Sequence, residues 1–412
     1  MFEHLQIYDA RERWMVGLAD AGLAVAMAAL RPFGRRLPAA SPPRRILLLR
    51  LERIGDLLMS WPAIAAVRRL APGARLDLVV GSWNEPIAQM LDQVDRVETL
   101  DAKWLSRGAA TPTVTALLRR RRAWRNQGYD LAINFEGDIR SHVFLACSGA
   151  RRRVGFDMAG GGPLLTDRVP YDPSCHVADN LLRLVEHAFD LRSGSLVRTE
   201  ERLKVPGEAR GQADRLLVEA GLTPCFTSDG ATALIGIQVG GGRQVKQWEP
   251  VRFGDLAARL AAKYAARLVF TGSAEDRPLV DMAVARVPTD AGVIDLCGRA
   301  DLPTLAALIE RFSVFITGDT GPMHLAAAVG TPLVAIFGPS DPRRWGPLST
   351  KACIVHSAVD CRPCNRIRRP PPRCVGTIPD CLAAIGVDQV LDAVDQLLAR
   401  TRGGVETTDD SR

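Results

Sequence analysis

Four short segments place glycines, acids and bases where an apolar run gives way to a helical pattern, the kind of junction at which an α/β chain can hold an anion. Foremost is Thr317-Gly318-Asp319-Thr320-Gly321-Pro322-Met323-His324, which follows the apolar run ending at Thr317 and precedes an alanine-rich stretch. Pro322 suits the first helical position, because its fixed φ fits there and no amide hydrogen is needed. Thr320 and Gly321 then fall at the cap. The N–H groups around Thr320, Gly321, Met323 and His324 would point out of the helix end, where the dipole favours negative charge. Small residues let a diphosphate approach the backbone closely. A tight connection without a ligand would use the same glycines, so this segment argues for an anion site and not yet for a reaction. Neither the dinucleotide fingerprint nor a P-loop occurs.

The second segment, Arg50 to Leu58, again lies between an apolar run and a helical pattern. Asp56 stands near the helix start, where a carboxylate could accept a proton from an attacking hydroxyl within hydrogen-bond reach. Helix capping uses the same residue type, and the spacing alone does not choose. In the third segment Gly240, Gly241 and Gly242 precede Lys246 and Trp248, allowing backbone close to a ligand and a mobile cation for phosphate oxygens. The bland alternative is a flexible loop with a solvated lysine. The fourth, Thr271 to Asp276, carries Glu275 and Asp276, which could accept hydrogen bonds from ribose hydroxyls or simply favour a helix start.

The elements that position these turns alternate between strand and helix. Ile46–Leu49 is a continuous apolar run, as a buried parallel strand requires. A helix through Ile64, Val67 and Leu70 and a strand at Leu76–Val80 complete a βαβ unit. Val94–Leu100 and Leu131–Phe135 read as strands, Val114–Asn126 as an arginine-rich helix and Val177–Leu191 as a closing helix. After a linker at Thr223–Ala231 the pattern restarts. Strands are expected at Ala233–Val239, Arg267–Thr271, Val293–Leu296, Val314–Thr317 and Leu333–Phe337. Helices are expected at Phe253–Tyr264, Leu302–Glu310 and Pro322–Val329. This predicts an α/β protein of two Rossmann-like, doubly wound parallel sheets, with ligands at the carboxyl ends of the strands and a cleft between facing domains. The expected boundaries are an N-terminal extension over 1–44, domains over 45–225 and 226–400, and a tail over 401–412.

The 412 residues are 47% hydrophobic and 24% charged, enough apolar material for two cores in a globular protein. The net charge of +7 implies acidic partners. Arginines cluster at Arg31–Arg45, Arg119–Arg125, Arg151–Arg153 and Arg362–Arg373, each cluster being equally readable as solvated surface. Aromatic residues make up only 6% and do not interleave with the arginines, which argues against nucleic acid as the partner. No basic start followed by an apolar core and a small-residue cleavage site opens the chain, so a cytoplasmic protein is expected. Trp14–Leu30 is apolar but short and interrupted by Asp20, which fits a helix on a membrane surface or one packed on the first domain.

Taken together, the Arg50…Gly55-Asp56…Pro62 order, the lysine–tryptophan loop and Gly318-Asp319-Thr320-Gly321-Pro322-Met323-His324 with the following Phe337-Gly338-Pro339-Ser340-Asp341-Pro342 resemble glycosyltransferase family 9, the bacterial heptosyltransferases of the lipopolysaccharide inner core. The resemblance covers about Arg45 to Val390. It implies a GT-B fold, an ADP-heptose donor, an anionic glycolipid acceptor at the inner face of the inner membrane, and inverting transfer without metal or other cofactor. It assigns Asp56 as catalytic base, Lys246 to the donor phosphates and Glu275 or Asp276 to the ribose. Asp319 falls to the donor sugar, and Thr320, Gly321 and His324 to the phosphate turn. Arg53, Arg119, Arg120 and Arg122 are the arginines expected to receive acceptor phosphates or carboxylates. Two departures stand out: Gln238-Val239-Gly240 replaces the family's His-Pro-Gly, and Glu249 separates Trp248 from Pro250. They bear on loop shape and donor preference. A nucleotide-sugar epimerase, a transferase using another nucleotide-sugar, and a non-catalytic sugar-nucleotide binder are the alternatives.

Near the C-terminus, Cys361-x2-Cys364-x9-Cys374-x6-Cys381 could hold zinc tetrahedrally. The second pair is loosely spaced for a zinc ribbon and Cys353 lies close by, so packing or redox-labile thiols are expected instead. No metal is expected at the reaction centre, because no His/carboxylate set accompanies the thiols. His142, His176, His187 and His356 read as structural.

Overall fold

The computed structural model describes residues 5, 7, 9–30, 42–101, 114–199, 202–222 and 233–403. The basic flank Arg31–Arg36, the expected linker Thr223–Ala231 with Cys225, and the end of the tail lie outside them. The chain divides into two compact units, Met1–Thr199 and Glu200–Arg412.

The first unit contains one sheet of six strands, β1 (Arg45–Arg50), β2 (Arg75–Val80), β3 (Arg96–Thr99), β4 (Leu131–Asn134), β5 (Arg152–Phe156) and β6 (Asp167–Val169), in the order β3-β2-β1-β4-β5-β6. Every pairing is parallel. Ile46 to Leu49 of β1 are all buried, as a central strand covered on both faces demands. The second unit repeats the plan with β7 (Leu234–Gln238), β8 (Arg267–Thr271), β9 (Val293–Asp295), β10 (Val314–Gly318), β11 (Leu333–Phe337) and β12 (Ala352–His356), again wholly parallel, in the order β12-β11-β10-β7-β8-β9.

Both sheets reverse their winding once. Chain order runs outward from β1 through β2 to β3, then jumps to β4 on the other side. It likewise runs from β7 to β9, then jumps to β10. At such a switch the loops leaving the two adjacent strands diverge and open a crevice at the strands' carboxyl ends. In the first unit these are the loops after β1 and β4; in the second, those after β7 and β10.

The expected elements form, three of them with both ends as expected and the others with ends moved by at most three residues. Several elements escaped the periodicity. β5 opens on two arginines and β6 is only three residues long, so neither shows the apolar run of a buried strand. The helix Gly207–Glu219 lies ahead of the boundary expected at Cys225, yet it belongs to the second unit. It packs on the helix Leu302–Glu310, with Arg210 on Glu310 at 2.9 Å and Arg311 on Asp214 at 2.6 Å.

Trp14–Leu30 falls within a helix, Ala10–Leu30. Asp20, the acid that interrupts the apolar run, accepts a hydrogen bond from Gly161 N at 2.6 Å and docks the helix on the first unit. Among the described residues no helix is long and apolar enough to cross a membrane.

Candidate functional site

The switch point of the first unit is organised around Arg50, the last residue of β1, which is buried. Its Nη1 donates to Phe135 O at 2.6 Å and its Nε to Asp56 O at 3.2 Å. Two carboxylates face the same guanidinium: Asp56 Oδ1 lies 3.4 Å from Nη2, and Glu136 Oε2 lies 3.7 Å from Nη1. Glu136, from the loop after β4, is buried and accepts Leu51 N at 2.5 Å and Glu52 N at 3.0 Å on Oε1. Glu52 O in turn accepts Trp83 Nε1 at 2.8 Å and Asn84 Nδ2 at 2.5 Å. The turn after β1 is therefore tied down from both neighbouring strands. Burial holds the Glu136 carboxyl above the usual carboxylate range against the opposing pull of Arg50.

Asp56 is the third residue of the helix Ile54–Leu70 and accepts Arg53 N at 3.2 Å, closing a capping box. Capping, one of the two roles the spacing could not separate, is present and leaves the other oxygen over: Oδ2 caps, Oδ1 faces Arg50, and the side chain keeps 22% of its exposure.

The second unit's switch point assembles Lys246, Asp319, Thr320 and the triple glycine. Lys246 sits in a single 3₁₀ turn, Gln244–Lys246, between buried Val245 and buried Trp248. Trp248 packs edge-on against Phe253 and donates Nε1 to Ile385 O at 3.0 Å. Gln247 Nε2 closes the loop on Gly241 O at 2.6 Å. With its backbone so held, Lys246 extends Nζ to Asp319 Oδ2 at 2.8 Å, across the gap between the loops after β7 and β10. Gly241 abuts Thr320: a Cβ there would touch the threonine methyl at 3.4 Å. A Cβ at Gly240 would lie 2.0 Å from Asp276 Oδ1, so a side chain there would force Asp276 to move.

Thr320 is the extended N-cap of the helix Gly321–Val329 and gives it no side-chain cap bond; its Oγ1 lies 3.1 Å from Thr317 Oγ1 instead. The first-turn amides of Gly321 and Met323 have no partner within the helix and carry its positive dipole end. His324 is buried. In the fourth segment, Asp276 is occupied as a cap, accepting Ser273 N and Oγ, each at 2.8 Å, whereas Glu275 is exposed. Gln238, which stands for the family's histidine, accepts Thr271 Oγ1 at 2.8 Å and ties β7 to β8.

The expected acceptor arginines do not gather in one place. Arg119 and Arg120 line a cavity of about 400 Å³ with Arg96, Glu98, Trp124 and Gln127, at the β3 edge of the sheet. Arg120 donates to Thr99 O and lies over Trp124, whose Nε1 donates to Glu98 Oε2. Arg122 and Arg53 do not line that cavity; Arg53 is exposed on the central turn beside Asp56.

Cys361, Cys364, Cys374 and Cys381 border a cavity of about 30 Å³ with Arg373 and Asp380. Among the described residues no three His, Cys, Asp or Glu side chains stand close enough to hold one ion. Burial, reinforced by the three neighbouring thiols, pushes Cys381 up to about 11, while Cys361 is exposed. A maleimide at pH 8 should therefore label Cys361 first and Cys381 last, read by peptide mass spectrometry; early labelling of Cys381 would contradict the buried assignment.

Of the histidines, His176 Nδ1 caps the helix Val177–Ala188 through Ala178 N, and His142 Nδ1 lies 3.0 Å from Gly160 O. Burial lowers the His142 imidazole below its ordinary value. Sequence reasoning missed Glu136, Gln247 and the anchoring of Trp248. For Glu136 a signal existed, an acid directly after the apolar run Leu131–Phe135.

Two parallel doubly wound units, each with polar groups gathered at its switch point, give the chain an α/β fold of the GT-B class. The model of glycosyltransferase family 9 (heptosyltransferase) matches residues 117–372, more than half of the chain, and the protein belongs to that family. Lipopolysaccharide heptosyltransferase 3 of Escherichia coli is 25% identical over 301 residues, 72% of this chain and 84% of the relative. The structure of E. coli ADP-heptose lipopolysaccharide heptosyltransferase II superposes with a TM-score of 0.69 at 21% identity, covering 87% of this chain and 99% of that one. E. coli heptosyltransferase WaaC with ADP superposes with a TM-score of 0.64 at 18% identity, covering 86% and 99%. The protein is a glycosyltransferase of heptosyltransferase type.

Proposed function

We propose that the protein transfers a heptose from ADP-heptose to an anionic lipopolysaccharide-core acceptor, with Asp56 as the base and Lys246 and the Thr320–His324 turn on the donor diphosphate. The observation that carries this reading is the coincidence of motif and topology. Each segment that the sequence marks as chemical lies on a loop leaving a switch-point strand, or on the loop leaving the neighbouring strand β8. Relatives and structural neighbours that act on lipopolysaccharide or bind ADP support the choice of substrates.

The acceptor hydroxyl attacks the anomeric carbon opposite the diphosphate. The new glycosidic C–O bond forms as the bond to the phosphate oxygen breaks, and the hydroxyl proton passes to Asp56. Negative charge develops on the departing diphosphate. Lys246 and the amides of Gly321 and Met323 meet it there, so they act more strongly in the transition state than on the bound donor. Glu275, exposed where Asp276 is engaged in capping, is the better placed of the two for the ribose.

Arg119 and Arg120, with Arg96, offer an anionic acceptor group a basic cavity. Arg119 is exposed, and exposed ion pairs contribute modestly. Arg119→Gln is therefore expected to raise the acceptor KM about two- to fivefold at low salt and less at high salt, with the donor KM unchanged. An acceptor KM that does not move would remove the cavity from the acceptor site.

Placement at the inner face of the inner membrane is part of the same reading. Trp14, Leu18 and Val25 recur at helical spacing along Ala10–Leu30 and are exposed, as is Met15, while Asp20 docks the helix. An apolar face of this kind suits the acyl–headgroup boundary.

The purified protein should convert ADP-heptose and a Kdo-bearing lipid A acceptor into a product one heptose heavier, released with ADP and seen by mass spectrometry. Donor incubated alone should stay unchanged. Altered donor without acceptor would mark an epimerase, and ADP binding without product from any core acceptor would mark a binding protein.

A further inference from the structure

We infer that Glu136 is a positioning residue for the transfer reaction: it shares the Arg50 guanidinium with Asp56 and so sets how strongly Asp56 can pull the acceptor proton. The inference rests on Asp56 being the base. Its grounds are geometric. One buried guanidinium lies between two carboxylates, 3.4 Å from Asp56 and 3.7 Å from Glu136, at the switch point where the loops after β1 and β4 leave adjacent strands.

A cation held by one acid alone stabilises that acid's charged form fully and makes it a poor base; a second negative charge on the same cation weakens that hold. Removing the Glu136 charge also removes a direct repulsion of the Asp56 carboxylate, and both effects have the same sign. The charged and titratable groups around Arg50 are Glu136 from the loop after β4, Glu52 and Asp56 from the turn after β1, and Tyr171 beyond β6.

Burial makes the Glu136 carboxyl hold its proton to higher pH than an ordinary carboxylate. The site therefore has two regimes. With Glu136 protonated, Arg50 is compensated by Asp56 and proton removal is slow. With Glu136 ionised, Arg50 is shared and proton removal is faster. The structure also explains why Glu136 can be altered without dismantling the turn: Oε1 only accepts, from Leu51 N and Glu52 N, and an amide oxygen can accept in its place.

The test is kcat against pH for the wild type, Glu136→Gln and Asp56→Asn, with ADP affinity and thermal midpoint measured for each. Wild type should show a second rise on the alkaline side of its acid limb. Glu136→Gln should lack that rise, running about three- to tenfold below wild type where the rise is complete, with ADP affinity unchanged. A merely structural role would lower the thermal midpoint and leave the profile's shape intact, and that outcome overturns the inference. If Glu136→Gln does not fold, the wild-type profile decides alone, since a single acid limb overturns the proposal. Undiminished turnover in Asp56→Asn overturns the base assignment and this inference together. An inactive Asp56→Asn beside a wild-type-shaped Glu136→Gln profile overturns this inference only.

Discussion

Asp56→Asn should lower kcat by roughly 10²- to 10⁴-fold, the range that positioned general bases supply, while ADP binds as it does to the wild type. In barrier terms that is about 3–5 kcal/mol at 1.36 kcal/mol per factor of ten. The substitution is chosen for what it retains. The amide oxygen can still accept Arg53 N, so the capping box at the start of Ile54–Leu70 survives. The backbone carbonyl of residue 56, which accepts Arg50 Nε and Ser60 Oγ, is untouched. Arg50 keeps Glu136 and Phe135 O as partners. The ability to take a proton is removed, together with the negative charge that faces Arg50 at 3.4 Å. Every residue assigned to the donor lies in the second unit, which is why ADP affinity, measured by calorimetry, should not follow turnover. A variant that turns over normally would return Asp56 to a purely capping role. One that loses ADP binding in step with activity would mean that the substitution had disturbed the fold.

The architecture was legible because parallel strands buried on both faces must be apolar throughout. Ile46–Leu49, Leu131–Phe135, Val314–Thr317 and Leu333–Phe337 announce themselves for that reason. β5 and β6 did not, because Arg152, Arg153 and Asp167 occupy strand positions while their charges are met elsewhere. Arg152 reaches Asp167 and Asp190, and Arg153 donates to Leu164 O and Ala150 O. Tertiary pairing there overrides the local pattern. The turns around Asp56, Lys246 and Asp319 were legible from glycine placement and from the family resemblance together. For Glu136 the local run showed only an acid after a strand; its place beside Arg50 depends on β4 lying next to β1, and that adjacency is a property of strand order. The acceptor arginines show the opposite failure. A cluster such as Arg119 to Arg122 looks like one surface in the sequence, but helical rotation separates Arg119 and Arg120, which border the cavity, from Arg122.

The second large effect is expected at Lys246. Lys246→Met keeps the length and the apolar stem and deletes the charge, so the diphosphate loses a preorganised cation where negative charge develops. Removal of one such donor costs on the order of 10²–10³ in kcat. The same substitution has a second consequence that must be separated from the first. Asp319 is buried and its carboxylate meets Lys246 Nζ at 2.8 Å, so removing the ammonium leaves a buried charge without that partner. Lys246 keeps 23% exposure, so screening reduces the loss below that of a fully buried pair, to roughly 1–3 kcal/mol. Lys246→Met alone should therefore lower both the thermal midpoint and the rate. Adding Asp319→Asn removes the stranded charge and should recover most of the midpoint. Because Asp319 is itself assigned to the donor sugar, the double variant is read against Asp319→Asn alone. If Lys246 serves only the fold, the two should be equally active; if it serves the departing diphosphate, the double variant should melt like wild type and remain at least about 100-fold slower than Asp319→Asn, with weaker ADP binding by calorimetry. Stability and chemistry pass through one ion pair here, and the double variant makes them move in different directions.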